Sequence, residues 1–322
     1  MFSLKHYVME VAKTGSFSIA AEHLFVSQPS LSSSIQRLEN RIGEPLFDRS
    51  VHPVRLTECG EEYLRAAKAI EETELNFSAF LEGYKSHQSG RLTIGGSNSN
   101  MSYVIPPLLT AYRALYPQVE ISLVENNIDA LVTLLSDGDI DLLVDSGNEE
   151  TGRFEEYPYQ PESLILAVPE GFSCNEVMKE YQLSYEDILS GVHTDPTRDH
   201  PPFSLLKDTP FLTMTPETDT GKRERALFRR EGFRPNSLFA IRQQSTAFHL
   251  AARGIGCAII ADTLVKSASF RPKLIYYKLG LTDSFRYIKF YQKKGRRLTF
   301  PMRSFLATAG VNIEKAPELS EA

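Results

Sequence analysis

A proline just inside a serine-capped helix start, Ser27-Gln28-Pro29, constrains this chain more than any other feature. A serine oxygen accepts an N–H of the first helical turn, and proline lacks an N–H that would find no partner there. From that start Leu31, Ile35, Leu38 and Ile42 recur at helical spacing and form a buried stripe. Upstream, Leu4, Tyr7, Val8 and Val11 mark the inner face of a first helix that Gly15 ends. Ser16 and Ser18 are caps for a second helix, whose inner residues are expected to be Ile19, Ala20 and Leu24. The adjacent small residues Ala20 and Ala21 let two helices approach closely, as a helix-turn-helix requires. Gln28, Pro29, Ser32 and Ser33 lie off the stripe near the start of the third helix. In a helix-turn-helix that end enters the major groove, where glutamine pairs with adenine and proline or serine touches a thymine methyl or a base edge.

Downstream come Phe47-Asp48-Arg49 and Val54-Arg55-Leu56-Thr57. With Ser16-Phe17-Ser18-Ile19-Ala20-Ala21, Val26-Ser27-Gln28-Pro29-Ser30-Leu31-Ser32 and Arg37-Leu38-Glu39, this ordered series resembles the DNA-binding domain of the LysR-type transcriptional regulators. The resemblance implies a winged helix-turn-helix over residues 1–60. It implies that Gln28, Pro29, Ser32 and Ser33 face bases, and that Ser16, Ser18, Arg37, Arg49 and Arg55 hold the DNA backbone. Many relatives carry Arg-Gln where this chain has Ser33-Ser34. Residues 1–60 hold six Lys and Arg (5, 13, 37, 41, 49, 55) and six Asp and Glu (10, 22, 39, 44, 48, 58), a net of zero. A DNA reader usually has a basic excess, so dimerisation is expected to make up the affinity. His6, His23 and His52 add positive charge at mildly acid pH.

Residues 61–90 read as a long linker helix and a polar hinge. Tyr63, Ala66, Ile70, Thr73, Phe77, Phe80 and Tyr84 are spaced alternately by three and four, the seam of a coiled coil. The family uses this segment to dimerise, and the resemblance implies a dimer, or a tetramer of dimers.

Residues 91–311 alternate strand and helix patterns, the sign of an α/β sheet with crossovers. They resemble the family's effector domain, built like a type 2 periplasmic binding protein. The expected fold class is therefore an α+β and α/β multidomain chain. Lobe I is expected at 91–162 and 268–311, lobe II at 163–267, and a flexible tail at 312–322. Ligands of such sheets sit beyond the carboxyl ends of strands. Asn98, Ser99, Asn127, Thr218, Asp219 and Gln244 occupy that position and are the candidate effector contacts, Ser99 by alignment with a family ligand contact. They are mostly small neutral donors, suited to a carboxylate or a polar metabolite. Asp219 would repel an anion and favours a ligand with an amine or many hydroxyls.

Residues 172–208 depart from the family's pattern. His193, Asp195, Asp199 and His200 have the chemistry of metal ligands, but no spacing sets two of them on one helix face, so a solvated loop is expected and no metal. The formal net charge of −6 makes DNA binding a local property, while 42% hydrophobic residues can fill sizeable cores. The three cysteines (59, 174, 257) include no CxxC, which argues against a disulfide framework or a zinc site. The sequence shows no signal peptide and no 18-residue apolar span, so a cytoplasmic location is expected. Ser97-Asn98-Ser99 lacks the lysine of a phosphate loop, and Ser99 has no histidine near in sequence. The expectation is thus not an enzyme but a transcriptional regulator with no cofactor and a small-molecule effector. Its expected partners are double-stranded promoter DNA, itself and RNA polymerase, with no membrane. The alternative is a ligand-independent architectural protein that bridges DNA.

Overall fold

Caps and apolar spacing set out the first helices of the computed structural model, which describes residues 2–84, 89–147, 152–280 and 284–313. The chain divides into two units, Met1–Ser86 and His87–Ala322.

In the first unit α1 (Lys5–Thr14) stops where Gly15 adopts φ 62°, a left-handed conformation that costs glycine little. Ser16 caps α2 (Phe17–His23) by accepting the Ile19 N–H, and Ser27 caps α3 (Gln28–Ile42) by accepting the Ser30 N–H. The wing is the antiparallel pair β1 (Phe47–Asp48) and β2 (Arg55–Leu56), with Phe47 opposite Leu56. The long helix α4 (Glu58–Tyr84) follows. Val8, Val11, Ala20, Leu31, Ile35 and Leu46 share one core with Tyr63 and Ala67 of α4. A Cβ on Gly60 would lie 2.0 Å from the Leu46 carbonyl oxygen, so α4 starts in backbone contact with the approach to the wing.

Packing corrects three expectations in this unit. Ile19 is exposed, because the Ser16 cap sets a phase that turns Ala20 and Ala21 inward instead. Ser18 is exposed and does not cap α2. Tyr63 is buried and stacks on Phe2 at 4.9 Å, so its ring is used inside its own domain and is not part of a seam for a partner. Ala66 and Ile70 are half-buried and Phe77 is exposed. The side chains of Phe80 and Tyr84, and residues 314–322 of the expected tail, lie outside the described residues.

The second unit runs β3 (Gly90–Gly96), a π-helical turn at Asn100–Val104, α5 (Ile105–Leu115), β4 (Val119–Glu125), α6 (Ile128–Asp137), β5 (Leu142–Asp145) and β6 (Phe154–Pro169). Next are α7 (Cys174–Val177), α8 (Tyr185–Leu189), β7 (Pro210–Met214), α9 (Asp219–Arg230), β8 (Asn236–Ile241) and α10 (Gln244–Ala252). β9 (Ala258–Ala261), α11 (Asp262–Lys266), β10 (Leu274–Lys278), β11 (Phe285–Lys293) and α12 (Phe300–Thr308) complete it. Lobe I has the strand order β6-β11-β5-β3-β4, with β3 parallel to both β4 and β5. The second half of β6 lies between β9 and β10 in lobe II. There β9 joins β7 through the Phe211–Cys257 bridge, and β7 runs parallel to β8. β6 runs for 16 residues because its two halves serve different lobes.

The lobe boundary near 268 is also corrected. β10 pairs with β6, and Leu274, Tyr276 and Tyr277 enter the lobe II core with Leu166, Phe211 and Ile260. Residues 268–279 therefore belong with lobe II, and the return strand is β11. Ile94, Ile105, Tyr112, Val144, Phe290 and Phe305 make the lobe I core.

One carboxyl sits inside lobe II without a counter-ion contact among the described residues. Glu224 is 1% exposed, takes the Met214 N–H at 2.7 Å on Oε2, and leaves Oε1 without a hydrogen-bond partner there. Burial pushes its carboxyl from an ordinary 4.5 up to about 8. The unfolded chain ionises at the lower value, so stability falls across the window from 4.5 to about 8, by up to about 1.4 kcal/mol per pH unit, and then levels. Glu224→Gln keeps an acceptor for Met214 and removes the ionisation. Its melting temperature should match the parent's near pH 4.5 and exceed it increasingly up to pH 8; parallel curves would contradict the burial argument.

Candidate nucleic-acid interface and effector cleft

The start of α3 presents Gln28, Pro29 and Ser33 to solvent, with Ser32 half-buried beside them. Ser32 Oγ accepts a hydrogen bond from Arg49 Nη1 at 3.4 Å. Arg49 Nη2 lies 2.9 Å from Glu39 Oε2, and its guanidinium sits over the Phe17 ring at 4.9 Å. Glu39 Oε1 also accepts the backbone N–H groups of Leu46 and Phe47. Arg37 folds back on its own helix, donating to the Ser33 carbonyl and to Ser34 Oγ. Arg55 is exposed across the wing from Asp48. The hydroxyl and amide of Ser50, more than Arg55, hold the Asp48 carboxyl below its ordinary value. Ser16 is engaged as the α2 cap and Ser18 is exposed. The structure thus brings Ser32 and Arg49 together. Glu39, which sequence reasoning passed over, sits four residues after Ile35 on the buried side of α3. An acidic residue in phase with an apolar stripe was the signal.

In the second unit the strand ends of both lobes converge on an ionic cluster. Arg286 of β11 is 7% exposed; its Nε is 2.6 Å from Glu162 Oε2, and its Nη1 is 2.8 Å from Asp219 Oδ2. Arg223 Nε also donates to Asp219 Oδ2, at 2.8 Å. Burial opposes the charge on Arg286, but Glu162 and Asp219 outweigh it and raise its pKa. Asp145, at the end of β5, feels the field of Arg286, yet desolvation pushes its carboxyl above the ordinary value. Asp219 is therefore charge-compensated by two arginines, and the expectation that it repels an anion does not hold.

The predicted effector contacts divide into two groups. Asn127 accepts the Ala130 N–H and Thr218 the Gly221 N–H, so both are helix caps. Gln244 is 9% exposed, donates to Thr220 Oγ1 at 2.8 Å and accepts the Ala261 N–H at 2.7 Å. Both ends of its amide are used, and it braces lobe II instead of facing a ligand. Asn98 accepts from Ser245 Oγ at 2.9 Å and donates to Glu125, which links lobe I to lobe II directly. Ser99, half-buried beside it at the start of the π-helical turn, makes no hydrogen bond through its hydroxyl among the described residues. Arg286 was missed, because its partners stand 67 and 124 residues away.

The 172–208 segment is not a solvated loop. Leu183 bridges to Tyr276, covering the outer edge of β10. His193 has a fully buried side chain with Nε2 2.8 Å from Asp262 Oδ2. Asp262 also meets Lys266 and the Ser163 N–H, and its pKa is lowered by these bonds against the burial that raises it. Asp195 turns back on Thr197. Among the described residues no group of three His, Cys, Asp or Glu side chains is placed to hold a metal ion. No described helix is long and apolar enough to cross a membrane.

A winged reader and a two-lobed α/β unit with a charged interlobe site define a class of DNA-binding regulators. The bacterial regulatory helix-turn-helix family of the lysR type matches residues 3–61, and the LysR substrate binding domain matches residues 85–310. The chain belongs to the LysR family of transcriptional regulators, DNA-binding proteins with an effector-binding domain. The HTH-type transcriptional regulator YcgK of Bacillus subtilis is 28% identical over 312 residues, which cover 96% of this chain and 94% of that protein. Full-length OxyR of Pseudomonas aeruginosa superposes with a TM-score of 0.68 at 20% identity, covering 96% of each chain. Full-length CbnR complexed with its target DNA gives 0.56 at 20% identity, covering 96% of this chain and 99% of that one. These two likenesses show the fold.

Removing one member of a buried ion pair strands the other. Arg286→Ala leaves Glu162 uncompensated at 4% exposure and should cost about 3–5 kcal/mol in urea denaturation. A loss under about 1 kcal/mol would mean that the pair is solvated in solution.

Proposed function

We propose that this regulator binds promoter DNA sequence-specifically and that a small polar or anionic metabolite, held between the lobes, alters that binding. The hydrogen bond between Asn98 and Ser245 carries the reading, because it joins the two lobes beside Ser99, whose hydroxyl makes no hydrogen bond among the described residues. A ligand that takes up these groups changes what holds the lobes together. If one lobe arrangement favours DNA, ligand and DNA affinities are linked. The charged interlobe site, with Arg286 at its centre, favours a ligand-responsive protein over a purely architectural one, for which a filled apolar cleft would be expected. Commitment of its charged groups to one another supports binding rather than catalysis, with no cofactor.

Self-association is part of the proposal. Phe77 on α4 is 60% exposed. In the second unit the edge strand β8 exposes Leu238 and Phe239 and is followed by the exposed Arg242, while α9 exposes Lys222 and Arg225. The opposite edge, β4, exposes Leu123 between Glu120 and Glu125. Apolar edges of opposite charge suit an antiparallel pairing of two copies. RNA polymerase is the partner that a promoter-bound regulator would meet, and the cytoplasm is where it would meet it.

The test is a thermal-shift screen of the parent chain and Ser99→Ala against organic acids, amino acids, sugars and aromatic acids. A ligand selective for the folded form raises the melting temperature, by an amount equivalent to about 2.7 kcal/mol at a hundredfold excess over Kd. A compound that stabilises the parent, loses its effect in Ser99→Ala and shifts DNA affinity is expected. Stabilisers that act equally on both proteins would overturn the proposed site.

A further inference from the structure

We infer that Glu39, a buried acid beneath a surface that must meet an anion, is a positioning residue for DNA binding, holding Arg49 against the recognition helix for a phosphate contact. The inference rests on the reading of Arg49 as a backbone contact. The Glu39 carboxylate is 10% exposed and divides its two oxygens between different tasks. Oε1 accepts the Leu46 N–H at 2.9 Å and the Phe47 N–H at 3.2 Å, which ties the start of the wing to α3. Oε2 takes the Arg49 guanidinium at 2.9 Å.

Three elements converge on that guanidinium. Nη1 donates to Ser32 Oγ in α3, the plane lies over Phe17 at the start of α2, and Arg49 itself follows β1 of the wing. Phe17 in turn packs edge-on to Phe47 at 5.6 Å. The Arg49 side chain nevertheless stays 37% exposed, and Glu39 and Ser32 use only part of the five N–H donors of its guanidinium. A free arginine loses rotamer freedom when a phosphate fixes it. Arg49 is already fixed, at the edge of the surface where Ser32 and Ser33 stand.

The sign of the Glu39→Gln effect separates positioning from simple charge. With six basic and six acidic residues in 1–60, removing one acid makes that stretch net positive, and charge alone predicts tighter DNA binding. Positioning predicts weaker binding. The side-chain carbonyl introduced by Glu39→Gln still accepts the Leu46 and Phe47 amides, so the wing should keep its fold.

The experiment measures the affinity of the full chain for a duplex that the chain has selected from a random pool, at several salt concentrations. Glu39→Gln should weaken binding by about tenfold or more and lower the slope of log K against log salt by about one phosphate contact, with unchanged melting temperature. Adding Arg49→Ala to Glu39→Gln should cost little more, because the two act as one unit. Binding as tight as the parent's, or tighter, at an unchanged slope overturns the inference. If Glu39→Gln lowers the melting temperature, Arg49→Lys decides: it keeps the charge but loses the fork and the stacking. Weaker binding by Arg49→Lys then supports positioning, and parental affinity overturns it.

Discussion

A guanidinium buried where two strands pass between lobes organises the ligand-binding half of this molecule. Arg286 stands opposite Glu162 in the antiparallel register of β11 and β6. Its neighbours Phe285 and Tyr287 fall on the other face, as alternation along a strand requires, and are partly exposed. A charge so buried must be paired or it would destabilise the fold. The pairing recruits Asp219 at the start of α9, and a chain of hydrogen bonds then runs through Thr220 and Gln244 to the backbone of β9. One electrostatic requirement thereby orients the strand ends of lobe II around the site. The reader unit meets a similar requirement with the roles reversed: there the buried carboxylate of Glu39 anchors the arginine.

The winged reader was the most legible part of the chain because its signals are local. A cap, an N-terminal proline, a terminating glycine and a stripe at helical spacing act within a few residues of one another, and Gly15, Ser16 and Ser27 appear in those roles. Where local periodicity was ambiguous the reading slipped. Ile19 and Ala21 are close rivals for the inner face of a two-turn helix, and only packing against its neighbours separates them. Tyr63 fits a heptad spacing and also fits the core of its own domain, and nearby apolar partners win that competition.

The cleft was less legible for a physical reason. Neutral residues after strands were read as ligand contacts, but the same residue types cap helices, and Asn127 and Thr218 serve that purpose. The groups that define the site, Arg286, Glu162 and Asp219, meet across long stretches of chain and leave no short-range pattern. The lobe boundary near 268 was misplaced for a related reason: β10 is held in lobe II by pairing with the far half of β6. The departure at 172–208 looked polar and loop-like, yet His193 is buried there by a partner 69 residues away.

Sequence-specific reading of DNA by the exposed start of α3 is the central claim, and enrichment of duplexes from a random pool by the whole chain tests it most directly. The account predicts convergence on an inverted repeat whose half-sites are spaced by whole helical turns, as two symmetric recognition helices would read them. Recovery of unrelated sequences, with binding that depends on salt alone, would contradict it.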